Sequence, residues 1–210
     1  MIDLLPLLAE QRRALADVLD SLDAEAWAHP SLCDGWTVRD VTAHLVYLLE
    51  HSTLATVATF VRHRGDFDRM TRATVAADPR RGPELAAALR AHATSRNSPP
   101  GFGLEAPLTD VVVHAQDICR PLSIAHPLDA TAARPVLDLI VAPKARRAFV
   151  AKGRLDGLRL EATDCNWAHG TGADVRGAAV DIALGALGRT PALTELRGAG
   201  VELLAARLAH

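Results

Sequence analysis

Leu4, Leu5, Leu8, Leu15, Val18, Leu19 and Leu22 recur at the 3.6-residue period of a helix, with Arg12, Arg13, Asp17 and Asp20 between them. A chain that begins this way must bury an apolar helical stripe, and similar stretches return several times before residue 150. Asp23 can cap a short turn, DAEAW, which His29-Pro30 ends. Asp34-Gly35 is turn chemistry. Thr37 then reads as an N-cap, with Asp40 at the third position of a helix predicted over about 38–62. The stretch MTRATVAADPRRGPELAAALRAHATS predicts one helix interrupted near Asp78-Pro79, or two helices meeting there. RNSPPGFGLEAP is a Pro/Gly-rich loop of the kind that often borders a site. A further helix is predicted over about 108–120, stopping before Pro121, and DATAARPVLDLIVAPKARRAFVAKG gives another with a break near Pro143.

The pattern changes near Gly153. Leu155, Leu158, Leu160 and Ala162 alternate loosely with polar residues, as in a strand, and WAHGTGADVRGAA reads as a turn and a short second strand. AVDIALGALGR is helical, ELRG is a candidate third strand, and VELLAARLA is a final helix. The predicted class is therefore mainly α. An up-down four-helix bundle over residues 1–150 is followed by a small α/β domain over residues 151–210.

Of the 210 residues, 49% are hydrophobic but only 4% aromatic, so the core must be built from Leu, Ala and Val. Lys and Arg total 23 against 25 acids, a net charge of −2, and the basic residues are scattered. That balance gives no electrostatic footprint for nucleic acid. Cys33, Cys119 and Cys165 are odd in number and far apart, which fits neither a disulfide framework nor a zinc finger. The N-terminus lacks a signal-peptide pattern, and no stretch reaches the roughly 18 apolar residues of a membrane span. The expectation is a cytoplasmic protein with reduced thiols and no membrane partner.

Within LTDVVVHAQDICRP, three polar residues interrupt an apolar helix. His114 lies about 40° round from Asp110, and Asp117 about 60° back the other way. Asp110 and His114 form an i,i+4 pair able to chelate one ion. Two ligands do not make a tight site, and the best third donor is His44, on the apolar side of its helix beside Val41, Leu45 and Leu48. His51 lies about 10.5 Å further along that helix, too far to share an ion with His44. Spacing alone leaves two readings open: half of a metal site, or a hydrogen-bonded polar cluster inside a bundle.

WAHPSLCDGWTVRDVTAHL, followed some sixty residues later by TDVVVHAQDICRPL, resembles the mycothiol-dependent maleylpyruvate isomerase family, within the broader DinB-like metalloprotein group. The tail GLRLEATDCNWAHGTGADVRGAAVDIALGALGR resembles the family's small sterol-carrier-protein-like domain. The resemblance implies a DinB-like four-helix bundle carrying a divalent ion, usually zinc, with nickel and iron as alternatives. Its ligand pattern falls here on His44, Asp110 and His114. The family's acid is commonly Glu, so Asp110 is a departure that bears on the metal's identity and affinity. Asp117 becomes a partner outside the ligand set that holds an imidazole N–H.

The resemblance further implies that mycothiol, or a similar low-molecular-weight thiol, meets an electrophilic small molecule at the ion. The outcome is cis–trans isomerisation or S-transfer. Arg189 is the candidate cation for an anionic substrate, with Arg197 second. Trp36 and Trp167 read as anchors of the loop and of the domain interface, and an indole can also wall a pocket. Cys33, in the loop before the second long helix, and Cys119 read as structural. A non-catalytic metal-binding or sensor protein and a metal-dependent hydrolase are the rival readings, and homodimerisation is left open.

Overall fold

The computed structural model describes residues 3–145 and 149–209. Eight helices come first: α1 (Leu4–Asp20), α2 (Ala24–Ala28), α3 (Val38–Glu50), α4 (Thr53–Arg62), α5 (Phe67–Ala77), α6 (Gly82–Ala91), α7 (Glu105–Cys119) and α8 (Ala130–Val141). Strands β1 (Leu158–Ala162), β2 (Trp167–Gly170) and β3 (Ala173–Gly177) follow, then α9 (Ala179–Ala186), a 3-10 turn (Thr190–Glu195) and α10 (Gly200–Leu208). The fold is mainly helical, with one small three-stranded sheet near the C-terminus. Among the described residues no helix is long and apolar enough to cross a membrane.

The chain divides into two compact units, residues 1–126 and 127–210. This division comes earlier than the expected boundary at residue 150. The reason is α8, which packs on α9, while Trp167 Nε1 donates to Asp138 Oδ1 at 2.8 Å and ties β2 to that helix. Helix periodicity alone could not say which neighbours α8 would choose. Residues 146–148 of the helical stretch expected there lie outside the described residues.

In the first unit, α1 and α3 each pack against both α6 and α7, which makes a ring of four long helices. Their inward residues are the expected aliphatic ones. Leu8, Leu15, Val38, Val41, Leu85, Leu89 and Leu108 are completely buried, each larger side chain contributing roughly 1.5–3 kcal/mol. α5 packs on α3, and α4 meets α5. The single helix expected over about 38–62 is two helices. His51 is extended, and Ser52 caps α4 by accepting from Ala55 N at 3.3 Å.

Arg12 also departs from its expected place between apolar positions. It is 2% exposed, and its Nη1 donates to the carbonyls of Ala93 (2.9 Å) and Ser95 (2.8 Å), pinning the chain beyond α6 to α1. Burial pulls its pKa down to about 10, and the charge of Asp110 acts in the opposite sense.

The start of α3 is fixed by a capping box. Asp40 N donates to Thr37 Oγ1 at 3.3 Å, while Thr37 N and Oγ1 donate to Asp40 Oδ2 at 3.0 and 2.7 Å. Burial works against the Asp40 charge, but Thr37 and then Arg39 outweigh it and hold the carboxyl below its ordinary value of 3.8. Its stabilisation is therefore complete above the unfolded pKa and disappears as pH falls through the depressed folded one. Asp40→Asn is expected to melt lower than wild type by the equivalent of about 1 kcal/mol at pH 6. Thermal melts should show that gap closing as the pH drops below the ordinary carboxylate range.

In the second unit the sheet order is β2-β1-β3, with β1 antiparallel to β2 and parallel to β3. Leu158, Leu160 and Ala162 of β1 are buried, as their alternation predicted. Asp164 Oδ1 accepts from Ala179 N at 2.9 Å and satisfies the first turn of α9. The third strand expected at ELRG is reduced to one bridge between Arg197 and Arg176. Pro191 starts the 3-10 turn instead, its fixed φ suiting a helical first turn.

Candidate metal centre

Helices α3 and α7 pack against each other, and each carries polar groups at the contact. His44 lies in the second turn of α3, 5% exposed, as its position beside Val41 and Leu45 required. Asp110 and His114 stand one turn apart on α7. His114 Nε2 is 3.4 Å from Asp110 Oδ1, and His44 Nε2 is 3.8 Å from the same oxygen. The two imidazoles meet edge to face, with ring centroids 5.1 Å apart. Helical spacing brought Asp110 to His114, and packing between helices brought His44 to both.

These three donor atoms lie within 4.8 Å of one another. Adjacent ligands of a tetrahedral ion with bonds near 2 Å are about 3.3 Å apart, so the donor set fits a divalent cation with little movement. Two imidazole nitrogens and one carboxylate oxygen are also the donor chemistry that zinc, nickel and iron accept. Asp110, shorter than the Glu common in the family, still reaches both imidazoles through one oxygen.

Asp117 lies on the other side of His114. It is fully buried, and its Oδ2 is 2.9 Å from His114 Nδ1. A carboxylate there accepts the Nδ1–H and leaves Nε2 directed at Asp110. Burial opposes a charge on His114, but Asp110, then Asp117 and Cys33, raise its pKa well above the ordinary 6.5. Burial likewise opposes the charge on Asp110, and His114 and His44 hold its carboxyl far below the usual range.

One neighbour escaped the sequence reading, and a second was named there without its partner. Cys33, expected to be structural, has its Sγ 3.1 Å from Asp117 Oδ2 and 3.7 Å from His114 Nδ1. Trp36, read as a loop anchor or the wall of a pocket, faces His44 with ring centroids 5.4 Å apart. Both belong to the loop before α3, whose Leu32 N donates to Asp117 O at 3.0 Å. No spacing rule links positions 33 and 117, so the only available signal was their closeness to His44 and His114 along the chain.

Arg189 and Arg197 belong to the second unit. Arg189 precedes the 3-10 turn, and its Nη1 donates to Leu187 O at 3.0 Å. Burial and the nearby Arg189 charge lower the pKa of Arg154. Arg197 donates to the carbonyls of Thr194 (2.6 Å) and Leu196 (2.9 Å).

The fold and cluster define a class: a helical bundle with imidazoles and a carboxylate gathered between two of its helices. Residues 8–119, just over half of the chain, match the mycothiol maleylpyruvate isomerase N-terminal domain. The chain belongs to that family. A crystal structure of a histidine-to-alanine mutant of the mycothiol-dependent maleylpyruvate isomerase is similar at 16% identity and a TM-score of 0.54, with 95% of this chain and 96% of that chain covered. The crystal structure of the enzyme without that mutation gives 15% identity, a TM-score of 0.48 and the same coverage. No curated protein matches the chain.

Proposed function

We propose that this protein is a metal-dependent enzyme that activates a low-molecular-weight thiol, mycothiol or a close analogue, towards an electrophilic small molecule. The observation that carries the reading is the meeting of His44 Nε2, Asp110 Oδ1 and His114 Nε2 in a chain of the mycothiol maleylpyruvate isomerase family. His44, Asp110 and His114 would hold a divalent cation, whose positive charge would favour the thiolate of an approaching thiol at neutral pH.

The protein's own groups prepare the place. Asp117 takes the Nδ1–H of His114 and so presents the other nitrogen to the centre. Asp110 adds the one negative charge of the ligand set. Trp36 and the packed faces of α3 and α7 limit water around His44. The sulfur of the cosubstrate then adds to a conjugated double bond, rotation follows about the single bond so formed, and elimination returns the thiol unchanged. In S-transfer the adduct is released instead. None of these steps consumes a protein cysteine.

The test uses purified full-length protein with one equivalent of zinc, mycothiol and maleylpyruvate. Isomerisation should require both zinc and thiol, and should fall by more than about 100-fold in His44→Ala with the circular dichroism spectrum retained. Consumption of substrate without thiol would instead mark a hydrolase. Stoichiometric zinc with no turnover of any electrophile offered would leave a metal-binding protein.

A further inference from the structure

Cys33 has no part in the chemistry just proposed, yet it touches the residue that orients His114. Its Sγ is 3.1 Å from Asp117 Oδ2, the same oxygen that lies 2.9 Å from His114 Nδ1. Asp117 is fully buried and His114 nearly so, whereas the Cys33 thiol is half-buried at the edge of the pair.

The loop that carries the thiol is held in place. Ser31 Oγ accepts from Cys33 N at 3.1 Å and donates to Trp36 O at 2.8 Å, and Trp36 N donates to Cys33 O at 3.0 Å. Leu32 N donates to the main-chain oxygen of Asp117 at 3.0 Å. One residue of α7 is thus gripped twice by adjacent loop residues, through its backbone and through its carboxylate. A half-buried loop cysteine needs no such alignment to fill space.

We infer that Cys33 is a positioning residue for the metal centre. Its S–H holds the Asp117 carboxylate in the orientation that receives the His114 Nδ1–H, and thereby fixes which imidazole nitrogen faces Asp110 and His44. The sulfur acts as a hydrogen-bond donor, not as a nucleophile or a ligand. Replacing it with a group that cannot donate leaves Oδ2 with one fewer partner in a buried place and loosens the geometry of its bond to His114. A hydroxyl at the same position can still donate, with a shorter reach.

The consequence for metal binding rests on the proposed metal centre, but the orientation of His114 does not, so the two are tested separately. In zinc-free, full-length protein labelled with 15N at histidine, the His114 Nδ1–H should be visible and slow to exchange with solvent. Cys33→Ala should speed that exchange by about tenfold or more, whereas Cys33→Ser should stay within about threefold of wild type. Cys33→Val, similar in shape but unable to donate, should behave as Cys33→Ala does and guards against a cavity effect.

Zinc titration should then give about tenfold weaker binding for Cys33→Ala and Cys33→Val, with Cys33→Ser close to wild type. Unchanged Nδ1–H exchange in folded Cys33→Ala and Cys33→Val overturns the inference. So does an equal loss of zinc affinity in the serine variant, which would assign the sulfur to the ligand set. A wild-type protein that takes up no zinc while the exchange difference persists would sink the metal centre and leave the role of Cys33 standing.

Discussion

His114→Ala is expected to weaken zinc binding by more than about 100-fold, equivalent to at least about 2.7 kcal/mol. It is also expected to lower the stability of the zinc-free protein. The two losses have separate origins. Nε2 of His114 is one of three converging donors, 3.4 Å from Asp110 Oδ1. Nδ1 is a hydrogen-bond partner of a carboxylate with no exposure to solvent. Removing the ring takes one of the three proposed donors from one side and strips a partner from a buried carboxylate on the other, the latter at a cost of about 1–3 kcal/mol.

His44→Ala provides the contrast. It should lose zinc to a similar degree, yet it leaves the Asp117–His114 pair untouched. Isothermal titration with zinc and denaturant melts of the zinc-free variants separate the two effects. Unaltered one-to-one zinc binding by His114→Ala would remove this residue from the centre. Equal stability of the two zinc-free variants would remove the structural role of its Nδ1.

Gly172→Ala should cost the second unit at least about 3 kcal/mol. Gly172 lies in the two-residue connection between β2 and β3 with φ near 129°, a region that side chains almost never enter. A Cβ built there would lie 2.0 Å from the carbonyl oxygen of Gly157, far inside contact distance. That carbonyl already accepts from Ala173 N at 3.0 Å, at the first rung where β1 meets β3. The methyl group must push β3 away from β1 or twist the turn out of its conformation. Calorimetry of the full chain should show a transition lowered by roughly 10–25 °C, given the usual sensitivity of a unit this size. The neighbouring, exposed Thr171 offers a control, since Thr171→Ala should shift the melt by only a degree or two.

Much of the bundle can be read along the chain. The apolar period of α1, the Thr37–Asp40 box of α3 and the stop of α7 before Pro121 are local features, set by residues three or four positions apart. The Asp110–His114 pair is of the same kind. The break between α3 and α4 was legible too, since Ser52 is a good cap, but the continuing run of apolar residues through Leu54 and Val57 masks it. Those residues turn out to be exposed.

Other features have no local signature. The burial of Arg12 depends on two carbonyls more than eighty positions away, at Ala93 and Ser95. The boundary between the units depends on α8 choosing α9 as its neighbour. The contact of Cys33 with Asp117 spans 84 positions and joins a loop to a helix.

By itself the sequence determined that the chain forms helices with apolar stripes, that Asp23 and Thr37 cap α2 and α3, and that Asp110 and His114 share a face while His44 looks inward. Backbone hydrogen bonding and the helical repeat impose these relations on near neighbours whatever the rest of the chain does. Tertiary packing alone decided that His44 meets that face and that Cys33 reaches the carboxylate which Asp117, three positions on, already sets beside the far nitrogen of His114. It also decided that the guanidinium of Arg12 is buried against the carbonyls of Ala93 and Ser95, beyond the end of α6. Contacts of that kind are selected by how whole helices fill space against one another, and no short-range pattern encodes them.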